Sequence, residues 1–210
     1  MAKFLRIVAW TLVILGALVG VLRFTAIRWW QLPLNDPYLE SSVAPTLHGG
    51  DWVVLWRATA PSYGSLVLCP EPKTGRPVIG RILGEQGDHL KIDGSVLTVN
   101  GTPARSDSNC DKFQANDPAT GIETEQGCSL EDVTGRTHAR GNVPSEVLRP
   151  ATELDVPSGQ VALISDNRLF PWDTREFGMV DRPTCAETVV FRLVSKDGFF
   201  DVPNRLTLIH

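Results

Sequence analysis

The chain is 210 residues long, 42% hydrophobic and 21% charged, a size that holds one globular domain or a domain with an anchor and excludes a large multidomain machine. Residues 1–30 contain Lys3, Arg6, Arg23 and Arg28 and no acid, so a +4 segment precedes a body of 16 bases and 24 acids, whose net charge of −8 argues against nucleic-acid binding. The apolar content excludes intrinsic disorder, and 15 Pro with 18 Gly point to a turn-rich, strand-built fold.

Residues 7–22, IVAWTLVILGALVGVL, carry no charge. With Phe24, Ala26 and Ile27 the apolar stretch reaches about 20 residues if Arg23 snorkels, long enough to span a bilayer. Trp29 and Trp30 fall where an interfacial aromatic belt would sit. VLRF follows the run in place of a small-residue cleavage pattern, so residues 1–30 read as an uncleaved membrane anchor. Lys3 and Arg6 nearly balance Arg23 and Arg28, so charge indicates a span without fixing its direction.

The linker QLPLNDPYLE leads into the turn-rich SSVAPTLHGGD and a strand over 52–56. Further short strands are expected at 65–68, 78–83, 89–92 and 95–99, the last two joined at Asp93-Gly94, a dipeptide suited to a tight hairpin turn. Residues 102–155 hold ten acids, five bases, two cysteines and little periodicity, and read as an inserted, loop-rich excursion. Strand signals return at 160–164 and 188–194. The expected organisation is a mostly β core formed by 31–101 and 156–210, interrupted by the insert and preceded by the anchor.

The four cysteines, Cys69, Cys110, Cys128 and Cys185, form no C-x-x-C pair, and the four histidines are scattered, so no metal or other cofactor is expected. Cys110 and Cys128 bracket a polar segment that a disulfide could clip if this part lies outside the cytoplasm. Cys69 and Cys185 are equally readable as plain buried thiols.

Three blocks carry a family resemblance. Ser42-Val43-Ala44-Pro45-Thr46-Leu47, followed by Gly50-Asp51, resembles the S-M-x-P-T-L…G-D nucleophile segment of the type I signal peptidases. Ile79-Gly80-Arg81-Ile82-Leu83-Gly84-Glu85-Gln86-Gly87-Asp88 is similar to that family's K-R-V-V-G-x-P-G-D. Val156-Pro157-Ser158-Gly159, Ser165-Asp166-Asn167-Arg168 and the run Trp172-Asp173-Thr174-Arg175-Glu176-Phe177-Gly178 resemble V-P-x-G…G-D-N-R-x-x-S-x-D-S-R-x-x-G. The resemblance covers about residues 5–195, outside the insert. It implies a mostly β signal-peptidase-like fold behind one transmembrane helix. It further implies a serine endopeptidase that removes signal peptides from exported preproteins at the outer, extracytoplasmic face of the membrane, with the bilayer and signal peptides as its partners.

That family uses a Ser–Lys dyad, because a serine hydroxyl needs a positioned base and a lysine serves only when desolvation lowers its pKa. Here Ser42 aligns with the nucleophile, but Gly80 stands in the lysine's place. Pro171 replaces the serine that orients the lysine, and Glu40 stands where many members put a Ser or Gly near the oxyanion. A carboxylate there would oppose the developing negative charge. Arg81 stays protonated and is no base. Lys73, His48, His89 and Glu40 are the remaining candidates, none at the aligned position. Pro45, Asp166, Asn167, Arg168, Asp173 and Arg175 persist and suit a hydrogen-bonded structural network or a substrate groove. Ser42 is thus either a nucleophile with a non-standard base or an inherited turn residue. The expected function is correspondingly an atypical or catalytically degenerate signal peptidase I-like protein. The alternatives are an active enzyme with another base, or a non-catalytic binder of signal peptides or regulator of an active peptidase partner.

Overall fold

The computed structural model describes residues 2–133, 135–147 and 150–209. It opens with helix α1 (Ala2–Thr25), apolar on all sides, with no acid in its first turn and Arg23 in its last. Its side chains are exposed along nearly the whole length, and by length and composition the helix is sufficient to cross a membrane. Its last turn is tied to the body: Arg57 Nη2 donates to the carbonyls of Arg23 and Phe24, both at 3.2 Å, placing a cation on the negative end of the helix dipole.

The body is built of strands. β1 (Ile27–Gln31), the short helix α2 (Pro37–Val43), β2 (Trp52–Trp56), β3 (Leu66–Pro70) and β4 (Pro77–Gly84) come first. Next are β5 (His89–Asp93), β6 (Val96–Val99), β7 (Thr102–Pro103), β8 (Arg105–Asn116), β9 (Glu123–Val133), β10 (Arg136–Gly141), β11 (Thr152–Asp155) and β12 (Gln160–Ile164). Helix α3 (Thr174–Phe177), β13 (Val180–Asp181), β14 (Glu187–Val194) and β15 (Thr207–Leu208) complete the order. The main sheet runs β1-β2-β14-β3-β4-β12-β13, with β15 on β14; a second has the order β11-β5-β6-β7, and a third β10-β9-β8. Every pairing between named strands is antiparallel. The mostly β expectation therefore holds, and the strands expected in the core segments fall within one or two residues of those observed.

Four details differ from expectation. Residues 105–141 are not loop-rich but form the third sheet. Periodicity missed it because many of its buried positions are polar, Gln126, Ser129, Glu131, His138 and Arg140 among them, and because register shifts interrupt the alternation of β8. Trp29 and Trp30, expected at the end of the anchor as an interfacial belt, belong to strand β1 of the body, and Trp30 packs on the core while Trp29 stays exposed. The 93–96 hairpin turns on Gly94-Ser95, with Asp93 already paired to Val96 and Gly94 at φ +54°. Cys69 and Cys185 are disulfide-bonded, as are Cys110 and Cys128. Cys69 lies on β3 and Cys185 just before β14; because β3 pairs with β14, residues 116 positions apart become neighbours.

The two bridges should differ in weight. By loop entropy, removing Cys69–Cys185, which closes a loop six times longer than the 18-residue separation of Cys110–Cys128, is expected to cost about 4–5 kcal/mol against about 3 kcal/mol. Denaturant melts of the two double Cys→Ala variants check the order.

Candidate functional site

Ser42 sits on α2, whose start is set by Asp36: its Oδ1 accepts the Leu39 amide at 3.0 Å, and Pro37 occupies the first turn, where a missing N–H costs nothing. Leu39 and Val43 anchor the helix in the core against Leu47, Leu55 and Ile79. The chain leaves the helix at Ala44, and the Ala44–Pro45 bond is cis. In this setting Ser42 is 0% exposed. Among the described residues its Oγ makes one hydrogen bond, donating to Leu39 O at 2.9 Å, and its carbonyl accepts from Asn167 N at 3.0 Å. A carbonyl orients a hydroxyl but cannot take its proton. Neighbouring Ser41 donates to the carbonyl of Asn116, the last residue of β8, so the insert touches the same helix.

The other positions of the expected site have surroundings of their own, away from the Ser42 hydroxyl. Gly80 lies on β4 opposite Val67, and a Cβ built there would stand 3.0 Å from Leu163 Cβ and 3.4 Å from Ile164 O. A side chain at position 80 would thus press directly on β12 at Leu163 and Ile164. Glu40 is helical rather than extended, so it points about 200° around the axis from Ser42. Its carboxyl covers Gly49, where a Cβ would meet Glu40 Cδ at 2.9 Å. His89 pairs with Asp155 at 2.8 Å on the second sheet. His48 is partly buried, its imidazole pushed below the ordinary value by burial and the nearby Lys196 and Arg192 against the pull of Asp51. Lys73 lies on the exposed β3–β4 turn. None of them bonds to Ser42.

What the motif residues do form is a buried polar network. Asp166 accepts Arg81 through both oxygens, at 2.7 and 3.2 Å, and Thr46 Oγ1 at 2.5 Å. Asn167 Oδ1 accepts the Leu169 and Phe170 amides, closing the turn after β12. Arg168 donates to Ser165 O at 3.1 Å and to Glu131. Asp173 caps α3, accepts Ser165 N at 2.8 Å and holds Arg175 through both oxygens, so burial, which would raise its carboxyl, is outweighed by Arg175 and the amides and the group is held below the ordinary value. Pro171 stands in the same turn, where Trp172 N donates to Ser165 Oγ at 3.1 Å.

The structure therefore gathers Ser42, Pro45, Asp166, Asn167 and Arg168 around one turn and sets Asp173–Arg175 beside it through Ser165. Sequence reasoning missed Thr46 as an Asp166 partner and missed three insert residues altogether: Glu131, His138 and Arg140. Glu131 lies 3.3 Å from His138 Nε2 and 3.6 Å from Arg140 Nε, besides bonding Arg168. Burial alone would raise its carboxyl, but the guanidiniums beside it, Arg168 foremost and then Arg140, outweigh burial and hold it below its ordinary value. No motif announced them, because the insert matches none of the three blocks.

Comparison with known proteins agrees with the three blocks. A family model described as "Signal peptidase, peptidase S26" matches residues 5–194. No curated protein matches the chain. Among solved structures, a crystal structure of a signal peptidase I from Enterococcus faecalis V583 is similar, at 20% identity and a TM-score of 0.38, over 62% of this chain and 97% of that one.

Proposed function

The chain belongs to the signal peptidase family S26, and from that membership we propose that it is a member without Ser–Lys catalysis, a membrane-tethered protein that engages signal-peptide-bearing preproteins without cutting them. The observation that carries this reading is the pair Ser42 and Gly80. The hydroxyl is buried and bonded to a backbone carbonyl, and the position of the base is a glycine packed on Leu163. General-base assistance contributes about 10²- to 10⁴-fold, and among the described residues no base bonds to the Ser42 hydroxyl. Pro171 has no side-chain hydroxyl to orient a base, and Glu40 is turned away from Ser42 over Gly49.

The membrane part of the reading rests on α1 and on the sheet that follows it. With Ile27 only one residue beyond Ala26, the outward face of β1, β2, β14 and β15 presents Trp29, 54% exposed, Trp52, 41% exposed, and Leu208, 65% exposed. Arg23 in the last helical turn lies over the Trp29 ring, 5.7 Å from its centroid, so helix end and apolar face share a side. Two disulfides favour an oxidising, extracytoplasmic location for the body. The protein is accordingly expected to stay with membranes under alkaline carbonate extraction, with the body digested only from the extracytoplasmic side.

The experiment for the binding role uses the full chain in nanodiscs and a fluorescent signal peptide. Saturable binding with intact peptide recovered after prolonged incubation is expected. Absence of binding would remove the preprotein role, and accumulation of cleaved peptide would restore the enzymatic one.

A further inference from the structure

The network around Asp166 has a second property, independent of catalysis: it is the seam by which the insert sheet is held on the core. From the insert come Glu131 on β9 with His138 and Arg140 on β10; from the core come Arg81 on β4 with Asp166 and Arg168 after β12. All six are buried. Two backbone bonds reinforce the seam, Gly141 N to Asp166 O at 2.9 Å and Arg168 N to Gly141 O at 3.2 Å. Beyond it, Asn116 at the far end of β8 rests on the Ser42 helix through Ser41.

With His138 neutral, the seam among the described residues holds three guanidiniums and two carboxylates, Arg81, Arg140 and Arg168 against Asp166 and Glu131. His138 Nε2 lies 3.3 Å from Glu131 and 3.9 Å from Asp166, yet makes no aligned hydrogen bond. Both carboxylates are already committed to arginines and, for Asp166, to Thr46. A proton on His138 therefore adds a cation to a water-poor seam that already has one in excess. Burial, with Arg81 adding to it, pushes the imidazole below its ordinary value against the pull of Glu131 and Asp166. Of the six, only the imidazole has an ordinary pKa close to neutrality.

We propose that His138 is a proton-operated latch: neutral, it lets the Glu131–Arg168 and Arg81–Asp166 pairs close the insert sheet onto the core, and protonated, it frees β9 and β10 and uncovers the helix that carries Ser42. The sign follows from linkage. A histidine whose closed-state pKa is depressed favours the closed form fully above about 6.5, the unperturbed value. As pH falls from there toward the depressed pKa, the open form binds the proton that the closed form refuses. Within that window opening grows by up to about tenfold per pH unit.

Hydrogen exchange of the full chain in nanodiscs at pH 7.5 and 5.5, corrected for intrinsic exchange chemistry, tests this without reference to peptide binding. Amides of β9 and β10 are expected to lose about tenfold in protection at the lower pH, those of β3 and β4 to hold theirs, and His138→Gln to abolish the pH dependence. No loss in the wild type, the same loss in His138→Gln, or an equal loss in β3 and β4 would overturn the latch. Should His138→Gln fail to fold, ring NMR of the wild type decides. His138 titrating below 6.5 in step with the exchange change supports the latch, and titration at or above 6.5 contradicts it.

Discussion

Replacing Asp166 with alanine is expected to cost about 3–5 kcal/mol of folding stability, the penalty for breaking a buried ion pair from one side. Arg81 is 1% exposed and gives two of its donors to Asp166. Without the carboxylate the buried Arg81 guanidinium loses its Asp166 ion pair, Thr46 Oγ1 loses its acceptor, and the seam to the insert loses a carboxylate. Glu125→Ala supplies the comparison: its pair with Lys112 is solvent-exposed, and its loss is expected to change stability by no more than about 1 kcal/mol. Denaturant melts of both variants, disulfides intact, should separate them clearly. Equal costs would show that the retained motif acidic residue is not structural.

The second large effect concerns Gly80. Reinstating the family's lysine by Gly80→Lys is expected to yield no peptidase and a less stable protein. A Cβ at 3.0 Å from Leu163 Cβ is overpacked, which costs about 1–3 kcal/mol before the ammonium is considered. Gly80→Ala isolates that steric part. Even if β4 and β12 move apart, Pro171 offers no hydroxyl to orient the new amine, and Ser42 Oγ remains bonded to Leu39 O. Preprotein cleavage above background by Gly80→Lys alone would show that only the base had been lost.

The retained motif residues explain why the fold was readable while the chemistry was not. Asp166, Asn167, Arg168, Asp173 and Arg175 build a turn whose backbone amides and charges satisfy one another, so their spacing is the spacing the turn needs. Apolar runs such as 78–83 and 160–164 mark strands because both lie in the interior of the main sheet. The insert was opaque for the opposite reason. Its long strands bury Gln126, Glu131 and His138 instead of leucines, so hydrophobic periodicity has nothing to register. The Cys69–Cys185 bridge depends on β3 and β14 being neighbours across 116 residues, a pairing that spacing alone does not encode. Glu40 is a candidate base by its closeness to Ser42 in the chain, but the Asp36 cap and Pro37 make the segment a helix and turn the carboxylate away from Ser42.

Incubating a preprotein with the purified full-length chain in nanodiscs, beside its Ser42→Ala variant and an active signal peptidase, tests the proposed absence of catalysis most directly. No mature product from the wild type, and a wild type indistinguishable from Ser42→Ala, is the expected result. Cleavage at the signal-peptide junction that disappears in Ser42→Ala would contradict it.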